Sequence, residues 1–365
     1  MFGKRARSAL LGTLLLFPAS IKAAPIFVFN VLPGTSQQAV DGFTAAANLW
    51  SSLLSDNVTI YLTIGFNSLG GGILAQAGST QGTISYSGFR TALIADATSA
   101  DDATATLNIP GGTSVDMLIN RTSNNPNGDG SATPYVDNDG DANNTTVRMT
   151  WANARALGLV SATEQTPVGT CPNQPAGSPG CDAFIQFNSD FAFDFDPSDG
   201  ISAGAFDFIG IAAHEIGHAL GFISGVDVLD GNSTPPATFP DNLFTFLSPL
   251  DLFRYSALSF ASGVIDWTAD TRVKYFSING GTTNLAGFAT GVIFGDGRQA
   301  SHWKDNLGIG LMDPTAGLGE LLSISALDLR ALDVIGWNLE PIPEPATILL
   351  CGIGLLWVFS LRKRV

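Results

Sequence analysis

Two of the chain's three histidines stand four apart around a glutamate, in His214-Glu215-Ile216-Gly217-His218. On an α-helix that spacing puts both imidazoles on one face, a turn apart, where they can reach one ion. A hydrolytic zinc centre takes three protein ligands and keeps a further position for water. The metal acidifies that water and polarises a carbonyl, and a carboxylate nearby must take the proton. Glu215 suits that general base: it is next to one ligand in sequence, yet placed to reach water rather than metal. Glutamate is otherwise confined to Glu164, Glu320, Glu340 and Glu344. A purely structural zinc would not need the carboxylate.

The pattern continues as HEIGHALGF, where Gly221 lets the helix end in a sharp turn. It resembles the metzincin metallopeptidases, whose HExxHxxGxxH signature is followed by a Met-containing turn. Ser224 occupies the place of the signature's third histidine, and a hydroxyl is a poor zinc ligand. The remaining histidine, His302, sits in Ser301-His302-Trp303-Lys304, ahead of Leu311-Met312-Asp313-Pro314. A HExxHxxGF helix, a long insertion, a His-Trp and a Leu-Met turn look like the leishmanolysin-type branch. That resemblance covers these motifs and the closing helix, and implies His302 as third ligand with Met312 beneath the metal. Asp227 and Asp230, just past the helix, are the rival ligands. For Met312 an ordinary core methionine is almost the same role. The resemblance further implies a Zn2+ metalloendopeptidase acting on extracellular proteins or peptides. Two other readings compete: a zinc-fold surface or matrix protein of an exopolysaccharide layer, binding metal without turnover, and a zinc hydrolase for a non-peptide substrate.

The elements that must position these residues read as α+β. Residues 37–54 have helical spacing, with Val40, Phe43, Ala47, Trp50 and Leu54 on one face. NVTIYLTIGF (57–66) alternates as a strand and is the candidate edge for an added peptide strand. The stretches at 115–121 and 183–189 are further strands, and 150–160 is a short helix. The metal helix is expected over Ala203–Ile223, with Gly225 positioned to stop it. Phe244, Phe246, Leu250, Leu252 and Phe253, in the insertion, are read either as core or as a cleft wall. Ser325-Ala326-Leu327-Asp328 resembles an N-terminal capping box that opens a closing helix. With the family resemblance, the fold expected is a metzincin-like zincin. Its active-site helix would lie between an N-terminal mixed-sheet subdomain (24–222) and a C-terminal irregular and helical one (223–340), within one catalytic domain (24–340).

Both ends read as addresses. Residues 1–23 have the basic start, apolar run and small residues of a secretory signal peptide. Residues 341–365 contain Pro343-Glu344-Pro345, an apolar run from Ile348 to Leu361, and Arg362-Lys363-Arg364. This tail resembles the PEP-CTERM sorting signal of Gram-negative bacteria, which implies an exosortase-type enzyme as a partner. A plain single-span anchor is the alternative, and on either reading the membrane is met only through this segment, with the body exported. Setting the seven basic residues and one acidic residue of the ends aside leaves 10 basic against 31 acidic residues, about −21 by formal count. So acidic a body disfavours nucleic acid as a partner. Cys171 and Cys181, ten apart in a Pro/Gly-rich loop, suit a small disulfide in an oxidising compartment. Asp137, Asp139 and Asp141 alternate around a glycine in the manner of a calcium loop, but the distal glutamate is missing. Calcium there competes with an acidic surface turn, and DFAFDFDPSD (190–199) is a weaker version of the same pattern.

Overall fold

The computed structural model describes residues 23–70, 73–234, 237 and 239–341; the leader and the sorting tail lie outside them. The fold is α+β, and its main sheet has four strands. Strand β1 (Ile26–Val31) is followed by helix α1 (Gln37–Leu53), strand β2 (Thr59–Asn67), strand β3 (Ala75–Ser79) and, much later, strand β4 (Ala183–Asn188). In space the order is β1, β2, β4, β3. The first three run parallel, and β3 runs antiparallel to β4 at the edge, with Ala77 opposite Ile185. A parallel strand needs both faces covered. On β2, Ile60, Leu62 and Ile64 are fully buried on one face, and Thr63 is fully buried on the other.

This order corrects one expectation. The 57–66 strand is interior, hydrogen-bonded on both sides, and cannot take up another strand. The edges are β1 and β3, and β3 is the AQAGS stretch, whose small residues carry little hydrophobic signal.

Helix α1 is N-capped by Ser36, whose hydroxyl accepts from the Ala39 N–H. It buries Phe43, Ala47 and Trp50 against helix α2 (Phe208–Leu220), and the Trp50 indole donates to the Ala213 carbonyl at 2.9 Å. The expected 203–223 helix is therefore shorter at both ends. Asp207 caps its start by accepting from Gly210 N, and Gly221 ends it four residues before Gly225. Helix α3 (Val226–Asn232) follows at once. Helix α4 (Ala326–Asp333) closes the fold with the expected capping box: Ser325 and Asp328 each accept from the other's backbone N–H. One continuous buried cluster runs from Ala39 to Trp337 and includes Phe244, Leu250, Leu252 and Phe253, so the insertion supplies core. Cys171 and Cys181 form the expected disulfide.

The buried carboxyl of Asp333 stands well above the ordinary carboxylate range: burial, reinforced by Asp102 and Asp101, pushes it up to about 7. Its Oδ1 is buried without a partner. A folded-state value above the unfolded one favours the folded protein fully below about pH 4, and that advantage is lost as pH rises through about 7. Asp333→Asn, neutral at every pH, is therefore expected to be about 1–2 kcal/mol more stable than the native protein at pH 8. The gap should close at pH 4, and parallel urea melts at the two pH values would read it.

Candidate metal centre

His214 and His218 project from one face of α2, a turn apart, and His302 arrives from the far side of the insertion. Their three Nε2 atoms form a near-equilateral triangle of 3.1, 3.2 and 3.3 Å. Three imidazole nitrogens on one tetrahedral ion at Zn–N distances lie about 3.3 Å apart. Among the described residues these three histidines are the group of three or more such side chains that converges on a point a metal could occupy.

The opposite ring nitrogens explain why Nε2 faces inward. Nδ1 of His214 meets the Leu311 carbonyl at 2.8 Å, Nδ1 of His218 meets the Phe222 carbonyl at 2.7 Å, and Nδ1 of His302 meets the Gln299 carbonyl at 3.3 Å. A carbonyl can only accept, so each Nδ1 carries the proton and each Nε2 offers a lone pair. This is the outer-shell arrangement that orients metal-ligating histidines. Burial, then the neighbouring His214, holds His218 down to about 3, and burial likewise holds His302 well below its ordinary value. Both are neutral across the physiological range, as ligands must be.

Local backbone builds these contacts. Gly221 has φ 120°, outside the reach of ordinary side chains, and its turn brings the Phe222 carbonyl back onto His218. Gly217, on the helix between the ligands, has no side chain where Met312 packs: a Cβ there would lie 2.5 Å from Met312 Sδ. Met312 is fully buried, and its neighbour Leu311 supplies the carbonyl for His214. The Leu311-Met312 turn thus supports the helix from below.

Glu215 is half-buried and borders two adjoining cavities. One, of about 530 Å3, is lined by the three histidines, Gln299, Ser301 and the edge strand β3. The other, of about 180 Å3, is walled by Leu74, Ile211, Ala316 and Leu322, with Asp313 and Thr315 at its polar side. Burial raises the Glu215 carboxyl above its ordinary value, against an opposing pull from His214. A carboxyl so placed can accept a proton from a water in the cleft and return it.

No family model, curated protein or solved structure matches the chain.

The rival ligands have other work. Asp227 accepts from Ala300 N at 2.6 Å and Ser301 N at 3.1 Å, and Asp230 accepts from Ile293 N and Phe294 N. Ser224 donates its N–H to Ser301 Oγ and its hydroxyl to Asp251. Asp137, Asp139 and Asp141 do not converge as a donor set. Asp137 is buried against Asn143, Asp139 accepts from Asp141 N, and Asp141 caps the short helix Ala142–Thr145. In the 190–199 stretch, Asp194 binds Ser202 and Asp196 caps the turn Pro197–Asp199. Sequence reasoning missed Asp227, Asp251 and Asp328 as supports of the site. No periodicity marks a carboxylate that pairs with backbone N–H groups 16 to 74 residues away.

Proposed function

We propose that the protein is a zinc metalloendopeptidase of metzincin-like, leishmanolysin-type arrangement, with His214, His218 and His302 as ligands and Glu215 as general base. What carries the reading is the convergence of three Nε2 lone pairs beside a carboxyl that borders the same cleft. The donor set suits zinc: three neutral imidazoles and no thiolate, with a fourth direction open to the cavity. Bound there, a zinc ion would acidify water and polarise a substrate carbonyl. Glu215 takes the proton from the attacking water and hands it to the departing amine. The β3 edge offers unpaired backbone groups along the cleft, which favours an extended peptide as substrate.

Export belongs to the same proposal. The leader and the Pro-Glu-Pro tail would deliver the body to the outside of a Gram-negative cell, with an exosortase-type enzyme acting on the tail. Among the described residues no helix is long and apolar enough to cross a membrane.

The test is hydrolysis of a mixed peptide library by the purified protein, stripped with a chelator and then reloaded with zinc. Cleavage that disappears on stripping and returns with zinc is expected. A folded, zinc-loaded protein that cleaves nothing would turn the assignment to a zinc-binding surface protein or a hydrolase of another substrate class.

A further inference from the structure

Where the metzincin signature has its third histidine this chain has Ser224, and the histidine in the triangle comes from 84 residues beyond His218. A ligand brought from so far needs its own anchorage. The loop-closure entropy of the insertion would otherwise be charged against metal binding. The residues that follow α2 provide that anchorage. Asp227, on the first turn of α3, is half-buried and accepts three hydrogen bonds from the segment just ahead of His302: Ala300 N at 2.6 Å, Ser301 N at 3.1 Å, and the Ser301 hydroxyl. That hydroxyl in turn accepts from Ser224 N at 2.8 Å. Ser224 is itself fixed by its own hydroxyl to Asp251 at 2.5 Å. The residue preceding the third imidazole is therefore held from two sides by the chain that directly continues the metal helix.

We infer that Asp227 is a positioning residue for the metal centre, which latches the Ala300-Ser301 segment to the end of α2 and so delivers His302 to the other two imidazoles. Ser224 takes part in the same latch, standing as its anchor where the signature would have the ligand. Asp227 touches neither metal nor substrate and acts only through Ser301 and its neighbour His302. The contrast with Asp230 separates this role from general support. Asp230 lies on the same short helix and is more deeply buried than Asp227, but it binds Ile293 and Phe294, eight or more residues from His302.

The inference rests on the zinc reading, and the experiment keeps the two apart. Zinc affinity is measured on the full chain by competition with a chromophoric chelator, for the native protein, Asp227→Ala, Asp230→Ala and Ser301→Ala, with thermal unfolding of each metal-free form alongside. Native protein that binds no zinc would sink the zinc reading itself. Given native binding, Asp227→Ala is expected to lose about 10–100-fold in zinc affinity, the range typical of outer-shell partners. Asp230→Ala should lose comparable stability while keeping zinc affinity within about threefold, well below that range. Cobalt substitution gives a second readout: the visible bands of Asp227→Ala should differ from the native ones, reporting a changed ligand set. Equal losses of affinity in the two aspartate variants, or an Asp227→Ala that binds zinc as tightly as the native protein, would overturn the inference. Should Asp227→Ala fail to fold, Ser301→Ala decides: it removes only the shared hydroxyl, and unchanged zinc affinity there would equally overturn it.

Discussion

Glu215→Gln is expected to lower kcat about 10²–10⁴-fold, the usual contribution of a positioned general base, while zinc content stays at the native level. That fall corresponds to roughly 3–5 kcal/mol of transition-state stabilisation. The amide keeps the size of the carboxyl and its place at the junction of the two cavities, but it cannot take a proton. Because the three Nε2 atoms define the ligand triangle without Glu215, the substitution should leave metal binding alone. KM should change little, since the lost interaction belongs to the transition state. Loss of zinc together with activity would instead mean that Glu215 helps to hold the ion. Full activity would mean that another group serves as base, and Asp313, which borders the smaller cavity with Glu215, would be the first to test.

The helix that carries this chemistry was legible because its signal is local. HEIGH needs only helical periodicity to put two imidazoles on one face, and the Asp207 and Gly221 caps are local signals as well. The early start expected at Ala203 failed because apolar, helix-compatible residues run back past Asp207. That aspartate sets the start of the helix by capping it, and its Oδ2 also accepts from Leu322 N, 115 residues on. His302, the remaining histidine, is named through the family resemblance with Asp227 and Asp230 as rivals, and the structure brings it to within 3.3 Å of both partners. The cleft was not legible. Its wall is β3, five small or polar residues whose edge position follows from pairing with β4, more than a hundred residues away. Nor were the carboxylates legible as supports. Asp227 reads in sequence as a rival ligand, Asp328 as a helix cap and Asp251 carries no signal, yet each accepts backbone N–H groups from another segment of the chain. In so acidic a chain, which of the many aspartates are buried depends on such long-range pairings, and these have no period to detect.

Asp328→Ala is expected to lower stability by about 3–5 kcal/mol, the range for leaving a buried charged network without its partner. The carboxylate is fully buried and accepts four hydrogen bonds: the Trp303 indole at 2.8 Å, Leu311 N at 2.7 Å, Met312 N at 3.2 Å and Ser325 N at 2.7 Å. Three of these donors belong to the metal centre's support, and the fourth is the cap of α4. Removing the acceptor strands all four donors in a dry environment, where each unsatisfied group costs about 1–3 kcal/mol. Relaxation and entering water return part of that sum, so the total stays below a simple addition. In a domain of this size a loss of that order lowers Tm by roughly 10 °C. The damage should also reach the ligands, because Leu311 presents the carbonyl that orients His214, and Trp303 N donates to Met312 O next to His302. Asp328→Asn separates shape from hydrogen bonding. Its amide fills the same space but turns an N–H₂ toward two of the N–H donors, so it should recover less than half of the loss in a thermal melt. Full recovery by Asn would mean that the pocket needs only volume there, and that the Leu311-Met312 turn is held by its packing against Gly217 rather than by the carboxylate.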